Sequence, residues 1–299
     1  MRIFEYAKVA NWDERLSDLA VTAEPERWTF THVPDKSSLP ILDSYIRYTF
    51  LRAYEQGKVA ETDRLACFNT GLLTLGQEEI YGVFRISDNF QNGQSISAQN
   101  KRWFLTAWAG SGDRSLTEFM ALPELATYWS DSSELIFDPA LQVQLNLDHI
   151  IKDNLDRFPE ELGGHLDRDG VPTDLSASPD IEDEASGTRM ATDAPPDKPI
   201  PIATRNALEG AMKNSIRLAQ RSYRIAVPQF HYGHIQLLLP LYLRDSRRPD
   251  LALTLEMHGN WYRAATVLYP DWAYRHARLL ARPNSEWLGG FRTDVRLDG

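Results

Sequence analysis

The densest alternation of apolar and turn residues lies in residues 227–288, which read VPQFHYGHIQLLLPLYL, then RPDLALTLEM, then WYRAATVLYPDWAYRHARLLARPNSEWL. Apolar runs punctuated by turn residues predict antiparallel strands, and the last run leads into a helix. Upstream, Leu42, Tyr45, Ile46, Thr49, Phe50 and Ala53 recur at three- and four-residue spacing. That period predicts an amphipathic helix over residues 39–57, with Pro40 in its first turn and Gly57 as its stop. Leu16 and Leu19 predict a shorter helix opened by Asn11. Strands are expected at residues 65–73, 80–86 and 103–109, the third returning from a polar hairpin loop over 88–101. A helical turn is expected at 123–129 and a short strand at 135–137.

Residues 145–158 read as a helix with Leu147, Ile151, Leu155 and Phe158 on one stripe, ended by Pro159. Residues 203–224 predict the longest helix. Its buried stripe is Leu208, Met212, Ser215 or Ile216, Ala219 and Tyr223; Lys213, Arg217, Arg221 and Arg224 form a second, basic stripe. Strands come in runs and hairpins and do not alternate with helices. The pattern therefore predicts an α+β fold, a curved antiparallel sheet of roughly six or more strands flanked by about three helices. Residues 163–201 are rich in Pro, Gly, Ser, Thr and acids and nearly lack large apolar side chains. They cannot bury enough surface to offset their ordering entropy, so they read as a disordered acidic loop inserted into a single domain spanning 1–299.

Composition changes this picture in two places. The net charge of −10 would argue against a nucleic-acid partner. Yet residues 167–197 alone carry nine acids and two arginines, which leaves the rest of the chain at only −3. Separate basic and acidic surfaces are therefore allowed on the folded part. The single cysteine, Cys67, sits in an apolar run and excludes an internal disulfide. With 42% hydrophobic residues in 299, a core can form without such a staple. Acids near the amino terminus and the lack of a long apolar run predict a soluble, cytoplasmic protein with no membrane partner.

No complete catalytic or metal-binding motif is present, and no cofactor is named by the sequence. Four partial constellations remain. The basic stripe of the long helix could track phosphates, or be an ordinary solvated face. On the helix over 145–158, His149 with Asp153 or Asp148 could act as an acid–base pair, with Asn154 and Arg157 beside them; the plainer reading is a capping or packing histidine. Asn69-Thr70-Gly71 could meet a phosphate or a base edge, or simply form a bulge. In the carboxy-terminal region, Gln229 and Gln236 flank an apolar strand and Arg278 sits in an apolar helix; such groups must be paired with each other or with a ligand. His231 and His234 form an H-x-x-H that reads as a turn.

Several segments occur in a familiar order: FEYAKVANWDERLSDLA, IRYTFLRAYEQGKV, CFNTGL, EIYGVF, LDHIIKDNLDRFP, VPQFHYGHIQLLLPLYL, DLALTL, WYRAATVL and AYRHARLLARPNSEWL. As a set they resemble the bacterial family called domain of unknown function 3825, across nearly the whole chain except the acidic insert. Menadione-stress-resistance-type proteins are associated with the same resemblance. It is similar to modules joined to RNA-binding OST-HTH (LOTUS) domains, which implies RNA or a phosphorylated nucleotide as ligand and an OST-HTH-containing protein as partner. It also implies that Asn69, Thr70, Gly71, His149, Asn154, Arg157, Gln229, Gln236, Tyr274 and Arg278 carry over as site residues. Where the family is expected to read A-Y-N-N-A-R, this chain has Ala273-Tyr274-Arg275-His276-Ala277-Arg278, which implies a more anionic or differently oriented ligand. The functional expectation is RNA or nucleotide binding with processing, as a phosphoesterase if catalytic. The other reading is a non-enzymatic stress-response adaptor for a protein partner.

Overall fold

Strands form where the sequence alternates, and helices where apolar residues recur every three or four positions. The computed structural model describes residues 1–33, 37–87, 101–168, 170–172, 200–231, 233–283 and 286–289. The chain divides into two compact units, Met1–Phe30 with Asp35–Tyr128, and Thr31–Pro34 with Trp129–Gly299. The class is α+β, with two mixed sheets of five strands each. The expected hairpin loop falls on residues 88–100 and most of the expected insert on 173–199, both outside the described residues.

In the first unit, α1 (Ile3–Tyr6), β1 (Ala7–Lys8), α2 (Trp12–Thr22) and α3 (Pro40–Glu55) precede β2 (Val59–Glu61), β3 (Leu65–Leu73), β4 (Glu79–Ile86) and β5 (Trp103–Gly110). The strand order is β1-β5-β4-β3-β2, antiparallel except that β1 runs parallel to β5. The core is aromatic. Phe50 of α3, Phe68 of β3 and Phe84 of β4 are fully buried, with ring centroids 5.1–5.9 Å apart. Cys67 lies on the opposite face of β3, packed with Tyr81, Val83, Ala109 and Leu116 and with no exposed surface, and burial pushes its thiol up to about 12. At pH 8 its thiolate is then scarce and shielded. Cys67 should therefore resist iodoacetamide in the folded protein and react stoichiometrically once urea unfolds this unit, as read by mass spectrometry.

The turn expected at 123–129 is not helical. The segment is extended, and its carbonyls are satisfied by α3 and the residues just after it. Arg52 Nε and Gln56 Nε2 donate to Thr127 O at 3.0 and 2.6 Å, and Lys58 Nζ to Leu125 O at 2.7 Å. External donors replaced the internal hydrogen bonds that a helix would have made.

The second unit comprises β6 (Gln142–Gln144), α4 (Leu147–Asn154), α5 (Ile202–Arg221), β7 (Val227–His231), β8 (His234–Leu241), β9 (Leu251–His258), β10 (Trp261–Leu268) and α6 (Pro270–Arg278). Its order is β6-β10-β9-β8-β7, again antiparallel except that β6 runs parallel to β10. Each unit thus has a short strand, then helices, then a four-stranded meander whose last strand pairs the first in parallel. No repeat in sequence marks this shared topology.

The strand expected at 135–137 is also corrected. Residues Ser132–Leu135 form a 3-10 turn, closed by the Asp131 carboxylate accepting from Ser133 N at 2.9 Å. Phe137 is buried and stacks on Tyr262 at 5.0 Å, and the strand comes later, at β6. The helix expected over 145–158 closes at Asn154 and continues as a 3-10 turn, Leu155–Arg157. In α5, Leu208, Ala211, Met212, Ser215 and Ala219 are buried. Tyr223 is not part of this stripe. The helix stops at Arg221, and Tyr223 is 71% exposed. The Ser215 hydroxyl donates to Pro240 O and so ties α5 to β8.

Candidate functional site

Alternation along β8, β9 and β10 sorts the second sheet into unlike faces. Leu237, Leu239 and Leu241 of β8 share one face with Leu251, Leu253 and Leu255 of β9, and all are buried. The other face carries polar side chains at the end where the hairpins turn. Register builds them into rows. Gln229 of β7 pairs with Gln236 of β8, Gln236 with Glu256 of β9, and Glu256 with Arg263 of β10. Two residues nearer the turns, His231 pairs with His234, and His258 with Trp261. Continuing the β8–β9 register by two positions sets His234 against His258. Neither row contains an aliphatic side chain.

The inner row is a hydrogen-bond relay. Gln229 Nε2 donates to Gln236 Oε1 at 2.6 Å, and Gln236 Nε2 donates to Glu256 Oε1 at 2.8 Å. Arg263 donates to the other Glu256 oxygen, with His258 Nε2 3.4 Å from it. Burial acts to raise the Glu256 pKa, but Arg263 and His258 outweigh it and hold the carboxyl below the ordinary glutamate value. An ionised carboxylate only accepts, and this fixes the direction of both amides. Gln229 Oε1 is left at the buried end, where no described residue donates to it.

In the outer row the His258 and Trp261 rings stack, with centroids 5.1 Å apart. His231 stacks on His276 of α6 at 4.8 Å. His276, Tyr274, Arg275 and Arg278 of that helix are all buried. The β9–β10 end is open. The side chains of His258 and Arg263 are 40% and 53% exposed, and His234 is exposed as well.

The other expected residues are held locally. Asn69, Thr70 and Gly71 belong to the first unit and build a bulge in β3. Asn69 Oδ1 accepts from Gly71 N at 2.8 Å, Thr70 Oγ1 donates to Ile80 O at 2.6 Å, and Gly71 has φ +74°. On α4, His149 and Asp153 pair at 3.2 Å on an exposed surface, and Asp148 pairs with Arg205 of α5 at 2.7 Å. Asn154 points inward, donating to Ile150 O and accepting from the Thr266 hydroxyl. Arg157 Nη1 donates to Val267 O at 2.6 Å, with its guanidinium 5.4 Å over Trp272. Among the described residues no group of three or more His, Cys, Asp or Glu is placed to hold a metal ion. A pocket lined by His32, Arg244, Arg248, Asp250, Tyr269 and Asp271 is internally compensated, since Arg244 pairs with Asp250 at 2.5 Å.

Sequence reasoning reached Gln229 and Gln236 but missed Glu256, His258 and Trp261. Their signal was the set of triplets QFH, HIQ, EMH and WYR, which only strand register aligns. Of the expected basic stripe, Lys213, Arg217 and Arg221 lie exposed on α5, whereas Arg224 falls beyond the helix, which ends at Arg221. Lys213 pairs with Glu209, whereas Arg217 and Arg221 are exposed and form no ion pair with any described residue.

The fold defines a two-unit α+β protein whose second unit presents a polar, partly open sheet face and a basic helix face. The chain belongs to the family described as Domain of unknown function (DUF3825), whose model matches residues 19–287. No curated protein and no solved structure matches it. No helix among the described residues is long and apolar enough to cross a membrane.

Proposed function

We propose that this protein binds single-stranded RNA and that the exposed face of α5 holds the phosphates. The observation that carries this reading is the pair Arg217 and Arg221. They lie one helical turn apart, about 6 Å between Cβ atoms, exposed, with no described carboxylate to neutralise them. Arg224 and Tyr223 extend the surface, the guanidinium lying 5.8 Å over the exposed phenol ring. Cations left free on one helix face displace the counterions condensed on a strand's phosphates, and a ring beside them accepts a base. The resemblance to modules joined to RNA-binding domains points the same way. The reading is one of binding: His149 and Asp153 pair with each other on an exposed surface of α4.

The test is fluorescence anisotropy with labelled oligoadenylate across a salt series. Wild-type affinity should fall with salt. Replacing both arginines, Arg217→Ala with Arg221→Ala, should weaken binding about tenfold at low salt and make the log–log salt slope shallower by about 1.4, that is about 0.7 per lost phosphate contact. Unchanged affinity and slope, or no wild-type binding at low salt, would overturn the proposal.

A further inference from the structure

We infer that the His258–Trp261 stack at the open end of the second sheet is a nucleobase site. This rests on the RNA reading and adds which part of the strand the sheet takes: the bases, where α5 takes the phosphates. Three observations meet at this end of the sheet.

The first is the pair of rings. His258 and Trp261 sit opposite each other across β9 and β10, nearly parallel at 21° between planes, with His258 open to solvent. A planar base adds to such a stack on its free side, and every base has a π face with which to do so. The second is the inner row two residues away on the same face. Glu256, Arg263 and Gln236 offer carboxylate, guanidinium and amide groups, the types that read base edges. Their directions are set by the relay, so a base meets fixed polarity instead of rotating groups. The third is the buried end of that relay. Gln229 is fully buried, and no described residue donates to its Oε1. A polar row drawn this far under cover is costly unless the order it imposes is used.

The chemistry disfavours other occupants. Two rows without one aliphatic side chain offer nothing to an acyl chain. A bare polyanion would gain nothing from the rings, and Glu256 would repel it. A heteroaromatic ring with both donors and acceptors on its edge suits both the stacked rings and the mixed donors and acceptors beside them.

The test uses two probes on the full-length protein. Inorganic polyphosphate reports the basic helix face, and oligoadenylate reports both surfaces. Trp261→Ala should weaken oligoadenylate about 5- to 150-fold, the range for losing one stacked base. It should leave polyphosphate affinity unchanged, and Trp261→Phe, which keeps a ring, should restore most of the loss. Equal oligoadenylate binding by wild type and Trp261→Ala would overturn the base site while the phosphate reading stands. A second measurement needs no phosphate. Adenosine alone should shift the ring protons of His258 and Trp261 upfield in NMR spectra. If adenosine moves neither ring, the base site falls. If it moves both while oligoadenylate binding ignores Arg217 and Arg221, the base site holds and the helix reading falls.

Discussion

Replacing Asp271 with alanine is expected to destabilise the second unit by about 2–4 kcal/mol. One carboxylate oxygen of this buried residue accepts from three successive backbone amides, Thr31 N at 3.0 Å, His32 N at 2.7 Å and Val33 N at 3.0 Å. The substitution removes the acceptor of all three bonds at once. Val33 is itself buried, so its amide loses the option of water, while Thr31 is exposed and can be rehydrated. That difference keeps the expected loss below three full desolvation penalties. Asp271 also lies in the first turn of α6, where a negative charge is favoured by the helix dipole, and alanine forfeits that as well. Asp271→Asn keeps one acceptor oxygen and nearly the same volume, so it should recover about half of the loss. Urea unfolding monitored by tryptophan fluorescence separates these outcomes. A midpoint for Asp271→Ala equal to wild type would show that residues 31–33 do not depend on this carboxylate.

Much of the secondary structure was legible because its signals are local. The spacing of Leu42, Ile46, Phe50 and Ala53 specifies α3 by itself, and residues 65–73 form β3 over the expected span. Where the outcome depended on distant partners, the sequence was silent. Nothing within residues 123–129 reveals that α3 side chains will satisfy their carbonyls. Nothing near Gln142 foretells a strand, since β6 exists only because β10 offers an edge beside it. The shared topology of the two units is hidden for the same reason, as strand order is a property of pairing.

The polar sheet face shows the limit most clearly. Gln229 and Gln236 stand out in sequence because an amide among leucines must find a partner. Glu256, His258, Trp261 and Arg263 do not stand out, because a charged or aromatic residue at alternate positions is ordinary for a half-exposed hairpin. Only the register places His258 opposite Trp261 and Glu256 between Gln236 and Arg263. On α5, by contrast, helical periodicity alone separates the basic face from the buried one, so Arg217 and Arg221 could be read directly.

A large effect of a single added methyl is expected at Gly82. This residue lies directly across from Phe68 in the β3–β4 pair. A Cβ placed on it would lie 2.3 Å from Phe68 Cε1 and 3.0 Å from both Cδ1 and Cζ. No unusual backbone angle is involved, since Gly82 is absent from the positive-φ glycines, so the cost is one of contact and not of conformation. The ring cannot swing away at low cost. It is fully buried, set edge-on to Phe50 at 5.1 Å and stacked near Phe84 at 5.9 Å. Gly82→Ala should therefore cost about 2–3 kcal/mol, in the upper part of the range for overpacking a filled core. Phe68→Leu alone should cost about 1–2 kcal/mol through lost contacts and residual cavity. Combined, the two should cost less than their sum by about 1 kcal/mol or more, because the smaller side chain yields the space that the methyl needs. Urea midpoints of the four proteins complete this cycle. Additivity within about 0.5 kcal/mol would mean that the Phe68 ring is not what excludes a side chain at position 82.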